Sequence, residues 1–108
     1  MKTANTHVVT NRIVLTYEVD GWPVGVLTGY DDEQGGLTLE HVIAWKPNAL
    51  RPMLYEGLRH AWDVGAAYVT FCLADDQPHA RELERLGKRF GALRYETHER
   101  LAYYVVHK

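Results

Sequence analysis

The spacing of apolar residues changes period along this chain, and the change fixes what it can fold into. Residues 12–19 alternate: Ile13, Leu15, Tyr17 and Val19 fall on one face, and Val14, Thr16 and Glu18 on the other. That is the pattern of a half-buried strand. Asp20-Gly21 then gives a hairpin signal, and residues 23–30 read as the returning strand. Residues 37–45 read as a third, with Leu37, Leu39, His41, Ile43 and Trp45 on one side. Beyond Lys46-Pro47-Asn48 the apolar positions are Leu50, Met53, Leu54, Leu58, Ala61 and Trp62, the stripe of an amphipathic helix. Asn48 suits its N-cap, Pro52 its first turn and Gly65 its C-terminal end.

Residues 67–74 (AYVTFCLA) are apolar on both sides, as in a central strand. Strand, helix and strand in that order predict a right-handed parallel crossover. Asp75-Asp76-Gln77-Pro78 opens a second helix, with Ala80, Leu83, Leu86 or Gly87, and Phe90 inward, and Gly91 ends it. Residues 93–97 and 101–107 form a closing hairpin. The predicted order is β-β-β-α-β-α-β-β, a single α+β domain over residues 1–108 with an antiparallel meander and one βαβ crossover.

Composition narrows the chemistry. The chain has 108 residues, no serine and one cysteine, Cys72, which excludes a serine nucleophile, an internal disulfide and a cysteine metal cage. No pair of histidines stands at metal-ligand spacing, so no metal site is expected. Cys72, mid-strand, reads as an inert buried thiol. A net charge of −2 argues against a nucleic-acid coat or a polybasic membrane binder. Residues 1–11 lack the basic start and apolar stretch of a signal peptide, so a cytoplasmic location is expected. Basic residues gather late, at Arg81, Arg85, Lys88, Arg89, Arg94 and Arg100, beside Glu82 and Glu84, and read as helix-surface pairs.

This order of elements resembles the GNAT superfamily of acyl-CoA-dependent N-acyltransferases. Two stretches carry the likeness. His41-Val-Ile-Ala-Trp-Lys-Pro47, leading into an amphipathic helix, is similar to the family's fourth strand and cofactor helix. Pro78-His-Ala-Arg-Glu-Leu-Glu-Arg-Leu-Gly-Lys-Arg-Phe-Gly91 is similar to its last helix. The resemblance implies acetyl-CoA as acyl donor and direct transfer to an amine. It implies backbone contacts to the donor's arm from Ile43, Ala44 and Trp45. Lys46, Arg51 and free N–H groups of Ala49 and Leu50 would meet the phosphates, and Glu40 or His41 would act as base. From the alternation, His41 is expected in the core beside Leu39 and Ile43, and Glu40 on the opposite face.

Three departures accompany the likeness. The family's phosphate loop carries glycines where this chain has Arg51-Pro-Met-Leu-Tyr-Glu56. The family's acidic tyrosine falls on Leu83 or Gly87. Only about ten residues precede Ile13, where relatives place a strand and two helices that wall the acceptor site. A non-catalytic binding or assembly protein on the same fold, such as a phage-encoded one, is the alternative. A homo-oligomer or protein partner covering the missing wall is expected in either case.

Overall fold

The computed structural model describes every residue except Thr10. Seven strands form one mixed sheet: β1 (Lys2–Val9), β2 (Arg12–Val19), β3 (Trp22–Asp31), β4 (Gly36–Ala44), β5 (Tyr68–Ala74), β6 (Leu93–His98) and β7 (Leu101–His107). Helix α1 (Leu50–Asp63) joins β4 to β5, and α2 (Ala80–Arg89) joins β5 to β6. The sheet order is β1-β2-β3-β4-β5-β7-β6, and β4–β5 is its parallel pair. The expected meander, crossover and closing hairpin are all present.

Strand β1 was not expected. It pairs with β2 over its whole length, from Lys2↔Val19 to Val9↔Arg12. Its sequence, KTANTHVV, has no apolar alternation, because an edge strand held by ladder hydrogen bonds need not bury a face. Two residues separate β1 from β2, so no helix stands between them.

Both crossovers carry their helices to the same face of the sheet. Met53 and Leu54 of α1 and Leu83 of α2 share one core with Leu15, Leu27, Leu73, Tyr104 and Val106. Removing that apolar surface from water is the main stabilising term. Gly65 and Gly91 follow the two helices with φ of +87° and +93°, the left-handed turn that glycine adopts most cheaply. Among the described residues no element packs over the other face, where register places Val14, Thr16, Val26, Thr28, Thr38, Thr70, Cys72, Tyr103 and Val105.

A bulge in β4 corrects the expected facing of the third strand. Thr28 pairs with His41, but the adjacent Gly29 pairs with Leu39, so Glu40 is an extra residue. One inserted residue reverses the alternation beyond it. Leu37 and Leu39 stay on the helix side with Val42 and Ala44, while His41 and Ile43 turn to the bare face. His41 is therefore exposed rather than a core residue.

Candidate functional site

The parallel ladder between β4 and β5 runs from Gly36↔Tyr68 to Leu39↔Phe71 and stops at the bulge. Past that point β4 stays with β3, and β5 stays with β7 through Ala74↔Leu101. The two strands part into a cleft of about 440 Å³, lined by Glu40–Ala44 on one wall and by Ala74, Gln77, Pro78 and His79 on the other. A smaller apolar pocket shares Glu40, Val42 and Gln77 with it and extends under Leu54 and Leu58 of α1 and Leu83 of α2.

The parting leaves peptide groups of β4 unpaired. Trp45 N–H donates to Val24 C=O at 2.9 Å. By antiparallel alternation Ile43 also turns its peptide to β3, whereas Val42 and Ala44 face the cleft. Of the three backbone positions expected to hold a donor's arm, Ala44 thus presents its peptide groups to the cleft, and Val42 joins it. The side chains of Ile43 and Trp45 are exposed, at 46% and 60%.

Glu40 and His41 lie side by side at the cleft's edge, each fixed from the bare face. Arg12 of β2 reaches across β3 to form an ion pair with Glu40, and its guanidinium lies 5.8 Å from the Tyr30 ring centre. His41 Nδ1 and Thr28 Oγ1 share a hydrogen bond of 3.1 Å, which leaves Nε2 free to meet a substrate. Arg12, Thr28, Val42 and His79 were not among the site residues expected from the sequence. The bulge brings Arg12 and Thr28 into contact with Glu40 and His41 at the cleft.

The start of α1 differs from the expected anion site. Residues Pro47–Ala49 form a 3₁₀ turn instead of an Asn48 cap, and α1 begins with Ala49 at its N-cap and no side-chain capping bond. Ala49 N–H donates to Lys46 C=O at 2.9 Å, and Leu50 N–H donates to Pro47 C=O. Both groups assigned to phosphate are therefore occupied within the turn, and Pro52 has no N–H to offer. Lys46 and Arg51 remain as exposed cations at this end.

The interior explains the absent tyrosine. A Cβ on Gly87 would stand 2.8 Å from Phe71 Cζ, and that ring is stacked on Tyr104 at 5.1 Å. Leu83 is 2% exposed. A side chain at Gly87 would therefore press on the Phe71 ring, and Leu83 is part of the buried core. Cys72 is half-buried rather than buried, and sits opposite Tyr103 on the bare face. The nearby sulfur, and then burial, push the Tyr103 hydroxyl above its usual pKa. Among the described residues no three His, Cys, Asp or Glu side chains group closely enough to hold a metal ion, and no helix is long and apolar enough to cross a membrane.

No protein-family model matches the sequence, and no curated protein matches it. Solved structures do match. The N-acetyltransferase PseH of Campylobacter jejuni, in complex with acetyl coenzyme A, superposes with a TM-score of 0.78 at 12% identity, covering 93% of this chain and 70% of that one. An acyl-CoA N-acyltransferase assignment from Klebsiella pneumoniae superposes at 0.80 and 13% identity, covering 99% and 97%. An acetyltransferase from Thermus thermophilus superposes at 0.72 and 18%, covering 94% and 67%. The fold is that of the GNAT N-acetyltransferases. The Klebsiella chain is of nearly the same length, so this compact build occurs elsewhere.

Proposed function

We propose that this protein is a GNAT-type N-acyltransferase that takes the thioester end of acetyl-CoA into the β4/β5 cleft and passes the acyl group directly to an amine. The observation that carries the reading is the parting of β4 from β5 at the Glu40 bulge. It creates a cleft with unpaired peptide groups, where a fully paired sheet would have none. The cleft suits the donor's amide-bearing arm, which needs peptide partners along an extended path. The start of α1 suits its phosphates poorly, since Lys46 and Arg51 are solvent-exposed side chains without a backbone cradle.

Within this reading, Val42 and Ala44 hydrogen-bond the arm, and one of their N–H groups faces the carbonyl oxygen as negative charge develops there. His41 removes the amine's proton, with Thr28 fixing the orientation of its ring. Glu40, held by Arg12, stands beside the path of the incoming amine. Release of free thiol from acetyl-CoA in the presence of primary amines tests this. His41→Ala should lower the rate about 100-fold. No binding of acetyl-CoA and no thiol release with any amine would instead favour a non-catalytic binding or assembly protein that has lost the cofactor, the reading that the occupied Ala49 and Leu50 N–H groups support.

The bare face bears on the acceptor. The molecule measures 39 × 29 × 22 Å, and a sheet face of that breadth exceeds the roughly 800 Å² per partner of a stable interface. We propose that a second copy covers it and completes the acceptor side of the cleft. A monomeric profile in solution scattering at every concentration would contradict this.

A further inference from the structure

We infer that His79 supplies the proton to the departing thiolate, an inference that rests on the acyltransferase reading. Transfer from a thioester to an amine forms a C–N bond and breaks a C–S bond. One proton must leave the nitrogen and one must reach the sulfur. These transfers occur on different sides of the carbonyl, so two groups on different walls serve them better than one.

The cleft has an imidazole on each wall: His41 on β4, turned to the bare face, and His79 at the start of α2, on the helix-covered side. The other polar side chains lining it are already engaged. Glu40 is paired with Arg12, and Gln77 Oε1 accepts Ala74 N–H at 3.4 Å. His79 is the N-cap of α2 with φ of +63°, in the left-handed region that histidine enters more often than most residues, and it stands at the rim of the cleft.

Glu82, on the helix that His79 caps, lies 4.0 Å from His79 Nδ1, and Glu40 and His41 line the same cleft from β4. As the C–S bond breaks, the imidazolium of His79 passes its proton to sulfur, while His41 accepts the proton released by the amine. The products are an amide and a free thiol, and the two rings regain their starting states by exchange with water.

The test needs no acceptor. An imidazolium beside sulfur lowers a thiol's pKa, so CoA bound to the wild type should deprotonate at lower pH than CoA bound to His79→Asn. Asparagine tolerates the left-handed backbone, and His79→Gln serves as a second variant. The ultraviolet absorbance of the bound thiolate, followed against pH, reads the difference. The expected shift is about one pH unit, or tenfold. Coincident titrations in wild type and both variants would overturn the role of His79 and leave the acyltransferase reading standing. Failure of the wild type to bind CoA would overturn both.

Discussion

On the helix-covered face of the sheet, Leu15, Met53 and Tyr104 are 1%, 0% and 0% exposed. On the opposite face Val14, one residue from Leu15 on the same strand, is 39% exposed, and its neighbours include Thr16 and Thr28. One face is closed by α1 and α2 and supplies the stability. The other is open, mixes threonines with valines, and carries Arg12, Thr28 and His41 beside the cleft. The comparison separates what folds this chain from what equips it to act, and the Glu40 bulge is where one strand passes between the two regimes.

The largest expected effect lies on the covered face. Met53→Ala should destabilise by about 3 kcal/mol through a cavity, whereas Val14→Ala should cost less than about 1 kcal/mol. Equal losses in denaturant unfolding would mean that the second copy closes the bare face as tightly as α1 and α2 close the other. Gly87→Ala should cost about 1–3 kcal/mol, because the added Cβ stands 2.8 Å from Phe71 Cζ and shifting that ring disturbs its stack on Tyr104.

Tyr104→Phe removes a buried hydroxyl that donates to Glu84 and should cost about 1.5 kcal/mol. It should also change the acid limb of stability. The Tyr104 hydroxyl, ahead of Lys88 and Arg94, holds the Glu84 carboxyl below its ordinary 4.5. The stabilisation is therefore complete above about pH 4.5 and fades as pH falls through the lowered value. In the variant that value returns toward 4.5, so the loss between neutral and acid pH should shrink. An unchanged acid limb in urea titrations would detach Glu84 from Tyr104. The smallest effect is Arg12→Ala, within about 0.5 kcal/mol for an exposed ion pair, yet it frees Glu40 beside the cleft. Transfer rate, not stability, should register that change.

Much of the fold was legible because the covered face writes itself into the sequence. Leu15, Leu27, Met53 and Leu83 must be apolar at fixed spacing. The sheet edge imposes no such rule, so β1, with Lys2, Asn5 and His7, left no trace. The bulge was equally silent: Glu40 is compositionally unremarkable, and its extra residue is visible only once Thr28 and Gly29 find their partners. That silence put His41 on the wrong face. Asn48 misled in another way. It is a good capping residue, but Pro47 instead starts a 3₁₀ turn that ties up Ala49 N–H and Leu50 N–H.

The central claim is that the cleft survives while the phosphate cradle does not. Calorimetric titration with acetyl-CoA and with acetyl-pantetheine, which lacks the nucleotide, addresses it most directly. A retained cleft with only Lys46 and Arg51 at its outer end predicts binding of both, with dissociation constants within about tenfold, or ~1.4 kcal/mol. No heat from either ligand at millimolar concentration would contradict it, as would tight binding of acetyl-CoA with none of acetyl-pantetheine.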